Sequence, residues 1–77
     1  MDGVELRNKR FAAGITGSLL CRRVAMDKSR FSNIERGYVQ VSQAEMNRLT
    51  AALDELIEAK TRMIAAAEQY RWPVSAL

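Results

Sequence analysis

Five hydrogen-bonding side chains follow one another along one face of a predicted helix. They form the polar stripe, which consists of Lys28, Ser29, Ser32, Asn33 and Arg36. Their spacing of i, i+1, i+4, i+5 and i+8 places them on one side of an α-helix. Lysine can donate to guanine, asparagine can pair with adenine through two hydrogen bonds, and arginine suits phosphate. No acidic residue interrupts the row, which indicates a surface for a polyanion.

The other reactive residue types do not form a catalytic set. The chain has no histidine and one cysteine, Cys21, for which we expect a small buried packing role. No second soft ligand is present to join Cys21 in a metal site, and a lone cysteine excludes a disulfide within the chain. We therefore expect no enzymatic activity, no metal and no cofactor.

The positive charge is concentrated in the first half of the chain. The net charge of the 77 residues is +3. Residues 1–37 hold eight basic and four acidic residues, whereas residues 38–77 hold four basic and five acidic ones. The basic half is a candidate surface for nucleic acid, although a solvated face that keeps a protein soluble explains the same excess.

Composition also bounds location and partners. A single thiol and the lack of a secretory signal pattern predict a cytoplasmic protein. No apolar run approaches the roughly 20 residues that span a bilayer, so no membrane partner is expected. The chain has no room for a separate ligand-sensing domain, and no small-molecule effector is expected. A domain this short is usually stabilised by disulfides, a metal or a partner chain, and with the first two not expected a partner chain is the remaining source.

Three short helices are predicted in the first half, each marked by capping residues. Gly14 suits the left-handed residue that follows a helix, and Thr16 and Asp27 suit N-caps. Phe31 and Ile34 are expected to face the core, opposite the polar stripe. The predicted helices cover residues 3–13, 17–24 and 28–36.

A further helix is predicted after Ser42, which with Glu45 forms a capping box. No glycine or proline follows until Pro73, so this stretch is either one long helix or two, with Asp54 as the cap of a fifth. The predicted fold class is therefore all-α, a small bundle of four to five helices with an extended C-terminal helix.

The second and third predicted helices are joined by about three residues, 25–27, which is typical of a helix-turn-helix. The surrounding residues resemble the Cro/lambda-repressor-like family, also called the xenobiotic-response-element family. The resemblance covers residues 4–53. Its most specific element is the segment Ser-Asn-Ile-Glu-Arg-Gly at residues 32–37, with Gly14 at the matching offset.

Three positions depart from the family's pattern. Gly17 stands where the family often has a glutamine that touches the DNA backbone, and Ala25 stands where the turn often has glycine. Leu19 replaces an exposed residue that is commonly acidic. This last departure predicts a contact outside the family's core fold, such as one with the C-terminal helix.

The resemblance implies a lambda-repressor-like DNA-binding domain over residues 1–53. It implies a sequence-specific transcriptional regulator of double-stranded DNA, a repressor in its simplest form, which inserts residues 28–36 into the major groove. Phage repressors, restriction–modification controllers and antitoxins all remain open. The base contacts implied are Lys28, Ser29 and Asn33. The expected backbone contacts are Ser18, Arg22, Arg23, Arg30, Ser32, Arg36, Tyr38 and Gln43.

Alternatives stand beside several of these roles. The resemblance implies that Glu35 forms a partly buried pair with Arg10 rather than acting as a catalytic carboxylate. Arg22 and Arg23 are equally consistent with ordinary surface charges. A different class of function is a protein-interaction module, such as an antitoxin or adaptor, that keeps the fold with weak or no DNA binding. The missing glutamine at Gly17 and the long C-terminal helix favour that class.

Apolar residues continue beyond the family's fold in steps of three and four. One isolated helix cannot bury both this row and the neighbouring row that contains Ile57 and Ile64. The pattern therefore predicts a homodimer built by residues 54–72, followed by a loose tail at 73–77. Lys60 in the row argues against a long coiled coil and favours a short crossing contact. The competing interpretation is a helix that folds back in a monomer. The expected dimer residues are Leu56, Ile57, Met63, Ile64 and Tyr70.

Overall fold

Capping side chains begin the first three helices. In the computed structural model, which describes residues 1–69, Asp2, Thr16 and Asp27 each accept a hydrogen bond from the backbone N–H three residues later. This satisfies donors that have no partner within the helix. The predicted bounds are confirmed, except that the third helix ends one residue early. The helices are α1 (Gly3–Ala13), α2 (Gly17–Val24) and α3 (Lys28–Glu35).

Left-handed residues end α1 and α2. Gly14 has a φ of 69°, which confirms its predicted place after α1. Ala25 follows α2 with a φ of 54° and is the one non-glycine residue among residues 1–69 with positive φ. The turn from α2 to α3 therefore adopts a backbone conformation that favours glycine, although it carries alanine.

One continuous helix, α4 (Gln43–Gln69), follows and is 27 residues long. The Ser42 side chain accepts a hydrogen bond of 3.1 Å from the Glu45 N–H, as the capping box predicts. The prediction that Glu45 reaches back to the N-cap was wrong, because the Glu45 carboxylate binds Arg30 of α3 instead. A charged tertiary partner therefore replaces the local backbone donor.

The predicted boundary between residues 53 and 54 falls inside α4. Asp54 pairs with Lys9 of α1 and caps no helix. Leu56 and Ile57, one turn later, pack against the hydrophobic core. The first part of the segment predicted for dimerisation thus also supports the fold.

The core lies between α1, α2, α3 and the N-terminal half of α4. Phe31 and Ile34 are 2% and 1% exposed, which confirms that they face inward. Cys21 is also buried, as predicted. The buried core residues are Leu6, Ile15, Leu20, Cys21, Val24, Phe31, Ile34, Met46, Leu49, Ala52 and Leu53.

Two basic side chains of α4 close the C-terminal ends of α1 and α2. The Lys60 ammonium lies 3.1 Å from the carbonyl oxygens of both Ala13 and Gly14. The Arg48 guanidinium donates to the carbonyl of Val24. Positive charge is stabilising at a helix C-terminus, where carbonyls lack partners within the helix. The Lys60 ammonium therefore has hydrogen-bond partners within the chain.

The all-helical prediction is confirmed for the part of the chain that the structure describes, which contains four helices and no strand. In that part no helix combines the length and hydrophobicity needed to cross a bilayer. Tyr70, the end of the segment 54–72 and the predicted tail at 73–77 lie outside the described residues.

Candidate nucleic-acid interface

A buried ion pair fixes α3 to α1. Arg10 donates through Nε and Nη2 to the two carboxylate oxygens of Glu35, both at 2.8 Å. Its Nη1 donates to the carbonyl of Ile15 at 2.9 Å. Both charged side chains are only 8% exposed. The pair that the resemblance implies is present, and it occupies both oxygens of Glu35.

The polar stripe lies on the side of α3 that faces away from the core. Lys28, Ser29 and Arg36 are exposed, whereas Ser32 and Asn33 are partly buried. None of these five side chains forms a hydrogen bond or ion pair with another residue in the range 1–69. Their donors and acceptors are therefore available to an external ligand.

Two arginines predicted to contact the DNA backbone are paired with α4. Arg30 donates to both carboxylate oxygens of Glu45, and Arg23 Nη2 lies 2.6 Å from Glu55. The hydrogen bonds between Arg30 and Glu45 raise the pKa of the arginine and lower the pKa of the carboxyl. Arg22 is exposed and has no acidic partner among residues 1–69. A phosphate at Arg23 or Arg30 would therefore compete with Glu55 or Glu45 for the guanidinium.

The other predicted backbone contacts belong to two helix beginnings and a loop. Ser18 lies in the first turn of α2 and is exposed, and Tyr38 is 76% exposed. Gln43 begins α4, and its amide nitrogen donates to Asn47 at 2.8 Å. The N-terminal ends of α2 and α4 carry partial positive charge that suits an anion.

A cleft between α1 and α3 adds residues that the sequence did not single out. Arg7 and Phe11 of α1 line it together with Ser32 and Arg36 of the polar stripe, and its volume is about 220 Å³. The Arg7 guanidinium carbon lies 4.9 Å from the centroid of the Phe11 ring, which is 56% exposed. The available signal was an arginine four residues before a phenylalanine, a spacing that brings two side chains together on a helix.

An apolar groove of about 480 Å³ runs between the beginning of α2 and the C-terminal half of α4. Leu19 and Met63 line it and are 41% and 49% exposed. Leu19 therefore lies beside the C-terminal helix. Of the residues predicted to dimerise, Leu56, Met63 and Ile64 line the groove, Ile57 packs on the core and Tyr70 lies outside the described residues.

Across residues 1–69, no group of three or more histidine, cysteine, aspartate or glutamate side chains is arranged to hold a metal ion.

No protein-family model, curated protein or solved structure matches the chain.

Proposed function

We propose that this chain is a sequence-specific duplex DNA-binding protein that regulates transcription, of the Cro/lambda-repressor-like type. In this proposal α2, the three-residue turn and α3 form the helix-turn-helix, and α3 enters the major groove. The observation that carries it is the polar stripe. Its five donor-bearing side chains have no partner within residues 1–69 and stand on a helix whose other face is fixed in the core.

The stripe supports base recognition because its side chains match base edges. Lys28 donates to the O6 and N7 acceptors of guanine, and Asn33 pairs with N6 and N7 of adenine. Ser29 serves either base. Each good bidentate contact contributes about 1–3 kcal/mol of discrimination against the wrong base.

Rigid attachment of α3 supports the same proposal. The Arg10–Glu35 pair holds it to α1, and the Arg30–Glu45 pair holds it to α4. A helix fixed at several points presents its side chains with little loss of conformational freedom on binding. The buried Arg10–Glu35 pair is therefore the main positioning element for the polar stripe, and the more exposed Arg30–Glu45 pair adds less because water screens it.

The distribution of unpaired charge points the same way. Asp54, Glu55 and Glu45 of α4 neutralise Lys9, Arg23 and Arg30. Lys60 and Arg48 donate to helix carbonyls, and Arg62 pairs with Glu58. In the described range, the basic side chains left without an ion-pair or hydrogen-bond partner are Arg7, Arg22, Lys28 and Arg36. Two of these four belong to the polar stripe.

The direct test is binding to a random-sequence duplex as a function of salt, followed by fluorescence anisotropy. A surface that neutralises phosphates releases counterions, and log K falls with log salt by about 0.9 per phosphate contact. With a few unpaired cations on each protomer, we expect a slope between about −2 and −4. A chain that binds no duplex at low salt would contradict the proposal.

The apolar groove favours a homodimer as part of this function, with a second copy of the chain as its occupant. Leu19, Leu56, Met63 and Ile64 supply its apolar walls. The Lys60 ammonium donates to two carbonyls, which offsets part of the cost of burying its charge. A dimer would place two α3 helices about one DNA turn, roughly 34 Å, apart on a near-palindromic site.

Sedimentation of the full chain tests the dimer. Met63→Glu places a charge in the groove and is expected to give a folded monomer, whereas the wild-type chain is a dimer at micromolar concentration. Ala65→Glu is the matched control, because Ala65 is exposed on the same helix and does not line the groove. A monomeric wild-type chain would contradict the dimer and support a helix that serves one protomer only.

The groove also favours a second candidate, a protein-interaction module with weak or no DNA binding. Its apolar lining suits a partner protein as well as a second copy. The salt titration separates the two candidates, since an interaction module shows neither duplex binding nor its steep loss with salt.

A further inference from the structure

The α1–α3 cleft carries two positive charges that have no acidic partner among residues 1–69. Arg7 lines it from α1, and Arg36 lines it from the position directly after α3. Among the described residues that line it, Glu35 is the one acidic residue, and both oxygens of its carboxylate accept hydrogen bonds from Arg10. The Arg10–Glu35 pair contributes no net charge, so the cleft presents the charges of Arg7 and Arg36 to solvent.

The cleft is continuous with the polar stripe. Ser32 and Arg36 belong to both surfaces, so a ligand seated along the C-terminal half of the stripe also meets α1. Phosphates border the major groove on both sides, and a helix inside the groove brings flanking elements to the backbone. Arg7 of α1 is placed to be such a flanking contact.

Phe11 holds the Arg7 side chain. Its ring centroid lies 4.9 Å from the Arg7 guanidinium carbon and 4.6 Å from that of Arg10. A guanidinium over an aromatic face keeps its edge donors free for an oxyanion while its plane is fixed. Phe11 is 56% exposed and is not one of the buried core residues, so its ring face is available to the two guanidinium groups.

We propose that Arg7, positioned by Phe11, binds a phosphate of the DNA backbone beside Arg36 and so extends the interface from α3 onto α1. The inference rests on the proposed function, since its ligand is the backbone of a duplex held by the polar stripe. Arg7 adds affinity without sequence preference, because every phosphate is alike. Phe11 is a positioning residue and meets no base.

The experiment compares the full-length wild-type chain with Arg7→Gln and Arg62→Gln in duplex titrations over a range of salt. Arg62 is the matched control, because it is an exposed arginine of α4 paired with Glu58, and its loss changes the net charge equally. Arg7→Gln is expected to lower the magnitude of the salt slope by about 1 and to weaken binding about tenfold at 0.1 M salt. Arg62→Gln is expected to stay within about twofold of wild type, because screening confines surface charges to short range.

Variants of Phe11 test the positioning role. Phe11→Tyr keeps the aromatic face and should retain wild-type binding, whereas Phe11→Leu should weaken binding to every duplex with an unchanged circular dichroism spectrum. If Phe11→Leu binds like wild type, the positioning role is wrong. If Arg7→Gln matches Arg62→Gln while the wild-type chain shows its steep salt dependence, the Arg7 contact is wrong and the proposed function stands. A wild-type chain that binds no duplex overturns both.

Discussion

Arg10 and Glu35 meet between α1 and α3 through two parallel hydrogen bonds of 2.8 Å, with both side chains 8% exposed. Removing the carboxylate would leave the guanidinium charged in the core. We expect Glu35→Ala to lower the free energy of unfolding by about 3–5 kcal/mol. Glu35→Gln keeps an acceptor oxygen and should lose less. Urea denaturation followed by circular dichroism measures both.

The control for this prediction is a solvent-exposed pair. Glu58 and Arg62 are 63% and 75% exposed, and such pairs add little because water screens them. Glu58→Ala should therefore leave the denaturation midpoint unchanged. A Glu35→Ala midpoint equal to that of Glu58→Ala would show that the buried pair does not hold α3 in place.

The left-handed backbone of Ala25 predicts a stabilising substitution. A side chain with a Cβ is disfavoured at its φ of 54°. Ala25→Gly should remove this strain but also add conformational entropy to the unfolded chain. The net effect should raise the free energy of unfolding by up to about 1 kcal/mol. Ala51→Gly is the matched control inside α4 and should lower it by about 1 kcal/mol. Thermal unfolding that shifts in the same direction for both variants would exclude strain at Ala25.

Two glycines are predicted to differ in their tolerance of alanine, because an added Cβ would clash with backbone at Gly3 and not at Gly17. A Cβ added at Gly3 would overlap the carbonyl oxygen of Ile34, so Gly3→Ala should cost about 1–3 kcal/mol. A Cβ added at Gly17 would meet Phe31 and Arg10 at 3.4 and 3.6 Å, which are ordinary contact distances. Gly17→Ala should change stability by less than about 1 kcal/mol. Equal melting temperatures for the two variants would contradict this packing.

Burial raises the pKa of the Cys21 thiol, and the nearby Glu35 carboxylate adds to the shift. The thiol form is therefore favoured in the folded state and reacts slowly with a thiol reagent, since the thiolate is the nucleophile. The stability that the protonated Cys21 thiol contributes to the folded state is present at neutral pH, and it is lost as the pH rises through the raised pKa. The stability advantage of wild type over Cys21→Ala should shrink in that alkaline range. Native labelling as fast as labelling in urea would contradict the burial.

Local patterns predicted the helix beginnings, and long-range pairs escaped prediction. Thr16, Asp27 and Ser42 cap helices through bonds to residues three positions away, which a sequence displays directly. The Glu45 carboxylate had a local donor in sequence, but its partner in the fold is Arg30, 15 residues earlier. Lys60 donates to the carbonyl of Gly14 at the end of α1, 46 residues earlier in the chain, and no sequence periodicity indicates this contact.

The same contrast applies to the candidate interface. The spacing of Lys28, Ser29 and Asn33 on one helix sufficed to predict a polar face turned away from the core, because helical periodicity determines it. The juxtaposition of Arg7 with Arg36 depends on how α1 packs against α3. Sequence alone contains no measure of that packing, and the cleft emerged only from the fold.

The measurement that tests the central claim most directly is base reading by Asn33. Bound sites are selected from a random duplex pool, and the affinities of wild type and Asn33→Ala are compared on the selected and random duplexes at one salt concentration. We expect Asn33→Ala to lose about 1–3 kcal/mol on the selected duplex and to match wild type on random DNA. Lys28→Ala should show the same pattern at another base position. Selection that enriches no sequence, or an equal loss on both duplexes, would contradict base recognition by α3.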